Sequence, residues 1–290
     1  MLWKLPEIAV PPDALFWIGP FPVYNTFIIT IVTVLIIVGI FRAALRHPAI
    51  IPGFLQNLVE WASQLLLNLC VDVAGKTKGR RFFPWVATIF FYVLIANWWE
   101  VIPGVETIGT LKAGAQPVAG FLLFGSHSNE IYPWIRPPST DVNFTIALAV
   151  TSVIVTQIYG FRILGVRHQL ARYFSLKEGP LGLIVGILEA ILELARIISF
   201  SFRLFGNLFA GDVLLLVIAF LIPFVGAIPF YALEVFVGFI QAFVFAFLTL
   251  VFLELGTSLH GAEEPQEEHA AEVARHEREL VERGLAHTAQ

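Results

Sequence analysis

The sequence predicts an all-α integral membrane protein. It should have about five membrane helices and a surface amphipathic helix, the last two membrane helices being long and steeply tilted as a hairpin. Three observations predict this. The chain of 290 residues is 57% apolar and 14% charged, with a mean hydropathy of +0.79. Several apolar runs reach the ~20 residues that cross a bilayer. A stretch from Leu181 to about Ile222 has no proline and is far longer than one upright crossing requires. These runs exclude a soluble enzyme, and no phosphate-binding loop or nucleophile motif is present. No basic face of useful size appears, so nucleic acid is not an expected partner. Cys70 is the single cysteine, which excludes an internal disulfide. "MLWKLPEIAVPPDALFWIG" has one lysine, two acids and no small-residue cleavage site, so no signal peptide is expected.

The first span is expected over residues 24–41, "YNTFIITIVTVLIIVGIF", closed by Arg42, Arg46 and His47. After Pro52 and Gly53, apolar residues from Leu55 to Val73 recur at helical spacing with Gln56, Glu60, Gln64 and Asn68 between them. That helix is too polar on one side to span and is expected along the membrane surface or against its neighbours. The basic run "KTKGRR", residues 76–81, precedes a second span at about 82–102, with Trp98 and Trp99 as interfacial anchors. Residues 103–140, rich in Gly and Pro, read as a long external loop or re-entrant segment, and a third span follows at about 142–161.

A helix over 181–222 would be roughly 60 Å long, about twice the hydrocarbon thickness, and must tilt or bend. "LIPFVGAIPF" makes its turn, and a partner helix returns over about 230–258. Residues 1–260 therefore read as a polytopic membrane domain. Residues 261–290, with eight glutamates and three arginines, read as a charged cytoplasmic tail. His269, His276 and His287 there lack metal-ligand spacing, and neither a metal nor a cofactor is expected. Lys and Arg concentrate in 42–81 and 162–178, which places both on the cytoplasmic side, the N-terminus outside and the C-terminus inside.

The long helix carries a polar stripe. Glu189, Glu193, Arg196, Arg203 and Asn207 follow one another at steps of three, four or seven. Asp212, nine residues beyond Arg203, falls on the opposite face. On the returning helix Glu234 and Gln241 share a face, with Gly238 between them. Arg203 thus sits between a cytoplasmic acidic patch and an outer one, which suits two half-channels better than one pore. Each residue also has a plainer reading. Glu189, Glu193 and Arg196 suit an intrahelical ion pair near an interface. Asp212 and Glu234 lie close enough to the outer turn to be merely solvated. Asn207 and Gln241 suit a hydrogen bond across the hairpin, Ser199 a bond back to the preceding turn, and Gly206 and Gly211 close helix approach. For Arg203 the plain reading is snorkelling, but the helix assignment leaves no interface within reach.

"FRLFGNLFAGD", with "GFIQAFVFAFL" at 238–248 and "PPSTDVNFTIALAVTS" at 137–152, closely resembles the a subunit of the F-type ATP synthase over roughly residues 80–258. The resemblance implies a stator channel beside a rotor ring of c subunits, held by peripheral-stalk b subunits and other subunits in a bacterial inner membrane, without catalysis by this chain. It matches Arg203 to the family's essential arginine, Asn207 and Gln241 to its polar companions, and Asp212 and Glu234 to an interacting outer pair. Glu189 and Ser199 match cytoplasmic-side positions; Glu193 enters through its place in the stripe. Many bacterial relatives carry Glu and His where this chain has Asp212 and Glu234, so a Glu–His relay is not expected and two carboxylates would share a proton. The competing reading, a secondary transporter, calls for inverted repeats, and none is visible. A membrane scaffold leaves Arg203 unexplained.

Overall fold

A computed structural model describes residues 14–102, 109–111, 131–173, 180–222 and 226–258. The first of its two compact units, 1–256, contains everything below. Residues 223–225 of the expected turn and the whole 261–290 tail lie outside the described residues.

The architecture is helical, with two short β-ribbons that periodicity did not predict. β1 (Ala14–Ile18) and β2 (Phe21–Tyr24) form an antiparallel hairpin that leads directly into α1 (Asn25–Leu45). α2 runs Phe54–Trp98 but contains a break at Gly75, where φ is 72° and ψ 168°. The expected surface helix and second span are its two arms, 54–74 and 76–98. β3 (Gly109–Leu111) pairs with β4 (Ile131–Pro133), and a 3-10 turn at Pro138–Thr140 enters α3 (Val142–Leu164). Gly165, at φ 81°, separates α3 from the short α4 (Val166–Tyr173). α5 (Pro180–Leu221) and α6 (Ala227–Thr257) are the long pair.

Two details refine the sequence reading. "KTKGRR" is helical, forming the first turns of the second arm of α2. The break before it lies at Gly75, whose positive-φ conformation only glycine adopts without strain and which reverses the chain. In one continuous helix residues 70 and 79 would be about 13.5 Å apart, yet a Cβ on Gly79 would collide with the Cys70 carbonyl. The second concerns the segment expected over 103–140 as a loop or re-entrant stretch: its residues from Arg136 onward, with Asp141, are all buried.

Among the described residues, four helices are long and apolar enough to cross a membrane: Asn25–Leu45, Phe54–Val101, Val142–Leu164 and Ala227–Thr257. α5 is a further long apolar element, 42 residues and roughly 63 Å, and it carries Glu189, Glu193, Arg196, Arg203 and Asp212. Large apolar side chains face outward on α1 and α5, Leu35 and Leu192 among them, as suits contact with lipid. The first arm of α2 exposes Phe54, Leu58, Trp61 and Leu65 at steps of four, three and four, the apolar stripe of a surface-lying helix.

The packed interior is built around α3. Its buried face is a ladder of small residues, Thr145, Ala149, Ser152, Thr156 and Gly160, which lets neighbouring backbones approach closely. Thr145 shares a hydrogen bond with Ser201 of α5 at 3.0 Å, and Ser152 shares one with Thr249 of α6 at 3.0 Å. α5 and α6 join through Phe200 and Phe245, whose ring centroids lie 4.8 Å apart. Leu204, Leu208, Leu250, Phe82 and Val86 complete the same cluster.

Candidate functional site

α5 holds two polar clusters about 28 Å apart, measured along its axis from Glu193 to Asp212. Arg203 lies near the midpoint.

The Asp212 cluster is assembled from five segments. Asp141 caps α3 by accepting from the Asn143 amide at 2.9 Å and also accepts from Thr26 Oγ1 of α1 at 3.0 Å. Ser139 Oγ donates to Asn97 Oδ1 at 3.0 Å, and Asn97 Nδ2 donates to the Gly238 carbonyl at 3.2 Å. Arg136 Nε donates to Thr140 Oγ1 at 3.3 Å. These bonds fix the buried 136–141 segment against the start of α1 and the end of α2, which is itself tied to α6 at Gly238. Glu234, 5% exposed, presses its carboxylate onto Gly211, where a Cβ would lie 2.5 Å from Oε2. Asp212 is half-buried beside it. The charges of Arg136 and Glu234 lie close enough to interact with that of Asp212, and those of Asp212 and Glu100 with Tyr231. Asp212 and Glu234 thus come together, Glu234 buried and Asp212 half-buried.

The second cluster gathers around Glu193. Gln157 of α3 donates its Nε2 hydrogen to Glu193 Oε1, and Gln169 of α4 donates to Gln157 Oε1 at 2.7 Å. Arg196 stacks over the Phe252 ring at 3.7 Å, and Lys78 bridges to Glu254 at 2.9 Å. Glu189 is half-buried one turn away.

Between the clusters, the inner face of α5 is sealed by Phe200, Leu204 and Leu208, all 3% exposed or less. Arg203 points elsewhere. It is exposed, on a face otherwise made of Ser199, Gly206 and Ala210, and a Cβ at Gly206 would meet nothing within 4 Å. Asn207 is half-buried next to it, while Gln241 is 6% exposed on α6. The hydrogen bond expected between Asn207 and Gln241 is not made through Gln241 Nε2, which is buried without a partner among the described residues. Glu234 Oε1 is likewise unpartnered there. Buried polar atoms in that condition call for water.

Sequence reasoning missed Asn97, Glu100, Arg136, Asp141 and Tyr231. A signal existed for three of them: "RPPSTD" places an arginine and an N-cap aspartate around a Ser-Thr pair at the start of a span, and Glu100 follows two anchoring tryptophans.

These features define an all-helical, multi-pass membrane protein that holds ionisable groups along its longest apolar helix. The sequence model of the ATP synthase A chain family matches residues 26–254. The chain is 33% identical over 245 residues to the ATP synthase subunit a of Moorella thermoacetica, covering 84% of this chain and 95% of the relative. It is 31% identical over 222 residues to that of Nitratiruptor sp., covering 76% and 83%. It is 29% identical over 243 residues to that of Helicobacter hepaticus, covering 83% and 90%. The chain belongs to the ATP synthase A chain family, and so is a component of the proton-translocating membrane sector, working beside other subunits of the synthase.

Proposed function

We propose that the chain forms two offset proton half-channels and presents Arg203 to an ionised carboxylate on a neighbouring rotor ring of c subunits. The observation that carries this reading is the pairing of a sealed inner face with an outward arginine. Phe200, Leu204 and Leu208 stand as an apolar wall on the inside of α5 between the two clusters, which supports a path that leaves this chain for the ring between entry and release. An arginine at the centre of a bilayer costs at least ~3 kcal/mol, and a partner carboxylate offsets that cost. The small residues Ser199, Gly206 and Ala210 beside it permit a second helix to approach closely.

A proton enters by way of Asp212 and Glu234, neutralises a ring carboxylate and allows it to turn into lipid. After nearly a full revolution it is released toward Glu193 and Glu189. Arg203 meets the bare carboxylate between the two steps. Its guanidinium keeps its proton under all protein conditions and cannot relay one, so flow requires rotation. Each charge crossing 100 mV supplies about 2.3 kcal/mol, which the ring delivers to catalytic subunits elsewhere; this chain itself performs no catalysis. Asn207 and Gln241 line the approach to the arginine. Peripheral-stalk b subunits hold the chain still. The loops rich in Lys and Arg put the N-terminus outside and the C-terminal tail in the cytoplasm of a bacterial cell.

The deciding experiment replaces Arg203 in the whole complex. Arg203→Ala is expected to assemble normally and lose coupled ATP synthesis. Arg203→Lys is expected to fail as well, because a desolvated ammonium gives up its proton. Coupled synthesis in either variant refutes the role.

A further inference from the structure

α4 and the end of α3 build a support for one carboxylate. Gly165 reverses the chain at φ 81°, which carries Gln169 back over the last turns of α3. Gly160 leaves the space it occupies, since a Cβ there would lie 2.8 Å from both Gln169 Nε2 and Oε1. Gln169 is 1% exposed, and its amide donates to Gln157 at 2.7 Å. Gln157 in turn donates to Glu193 Oε1. Gln169 Oε1 is buried without a partner among the described residues, which fits an ordered water beside the chain of amides. Two helices, α3 and α4, therefore converge on Glu193 of α5 through side chains that never ionise.

We infer that Gln157 and Gln169 are positioning residues that make Glu193 the fixed proton acceptor at the release end of the path. The inference rests on the function proposed above and goes beyond it by separating Glu193 from Glu189. A carboxylamide cannot carry a proton onward at ordinary pH, so its contribution is orientation. The donated hydrogen bond holds Oε1 and leaves Oε2 of Glu193 to receive the proton set free from the ring. A bond to a charged acceptor of this type contributes ~1.5–3 kcal/mol.

The test uses the whole synthase complex reconstituted in liposomes, with a pH-sensitive dye reporting the initial rate of ATP-driven proton pumping. Gln157→Leu and Glu193→Gln are each expected to slow pumping about tenfold or more, the equivalent of that hydrogen bond at ~1.4 kcal/mol per decade. Gly160→Ala, which pushes the Gln169 amide out of its place while leaving both glutamines in the sequence, is expected to slow it in the same direction. The decisive comparison is the double variant. If Gln157 acts through Glu193, adding Gln157→Leu to Glu193→Gln changes nothing further, whereas a merely structural role multiplies the two losses. Wild-type pumping in Gln157→Leu, or multiplied losses in the double variant, overturns the inference. Should Gln157→Leu not assemble, Gly160→Ala alone and combined with Glu193→Gln supplies the same comparison. Arg203→Ala, measured alongside, reads the underlying function separately. Its loss of coupling together with unaffected Gln157 variants removes only the positioning role.

Discussion

Gly211 and Glu234 are in direct contact across the long helix pair: a single carbon added to the glycine would lie 2.5 Å from one carboxylate oxygen and 2.6 Å from the carboxyl carbon. Glu234 is buried because Gly211 has no side chain. Gly211→Val is therefore expected to push the carboxylate out of its seat beside Asp212. The complex should still assemble while ATP-driven pumping falls well below half of wild type. Full pumping by Gly211→Val would show that the seat is dispensable.

Asp212 and Glu234 form one unit in the cluster, with the Arg136 charge close by. Asp212→Asn and Glu234→Gln are each expected to slow proton entry without abolishing it. The double variant should be no slower than the worse single one, since two groups that share a proton act together. Arg136→Leu is expected to be more harmful than either, because stripping a buried cation from its acids costs ~3–5 kcal/mol. Its signature is a loss of assembled chain as well as of pumping, read by quantifying the subunit in purified complexes.

What was legible in the sequence divides along physical lines. Spans announce themselves because twenty apolar residues have few alternatives, and α1, α3, α5 and α6 begin and end close to where hydropathy places them. The spacing of Glu189, Glu193, Arg203 and Asn207 was legible, but not how the fold divides them: Glu193 turns to Gln157 while Arg203 is exposed on another face. Partners across space were not legible either. Nothing local to Gln169 says that its amide meets Gln157 twelve residues earlier, and nothing local to Arg136 says that it is buried. The reversal at Gly75 was hidden for another reason. A glycine inside a helix-compatible run reads as tolerated, and only its backbone angles separate a turn from a continuous helix.

That reversal makes a prediction about stability. Gly75→Ala forces a residue with a side chain into a positive-φ extended conformation that is essentially reserved for glycine, at about 1–3 kcal/mol. Gly79→Ala instead sets a methyl group against the backbone of Cys70, and backbone cannot step aside as a side chain can. Gly79→Ala is expected to lower the amount of chain retained in membranes more than Gly75→Ala does. The measurement is subunit abundance with thermal inactivation of the purified complex, and equal losses would mean that the two arms of α2 do not pack as described.

The sealed face of α5 supplies the last prediction. Leu204 is fully buried, flanked one turn away by Phe200 and Leu208, and it stands between the two polar clusters on the side facing away from Arg203. Leu204→Asn places an amide in that seal, where its polar atoms draw in water. If the seal is what forces protons out onto the ring, this variant should leak protons down a gradient without synthesising ATP. The leak should also persist after the ring carboxylates are blocked by a carbodiimide, which stops all flow that depends on rotation. A control is needed for simple loss of packing, because truncating a buried leucine costs ~2–5 kcal/mol. Leu204→Ala supplies it: the cavity it leaves is apolar and stays dry, so it should weaken assembly but remain proton-tight. A Leu204→Asn complex that is as tight as wild type would show that the barrier between the half-channels lies elsewhere.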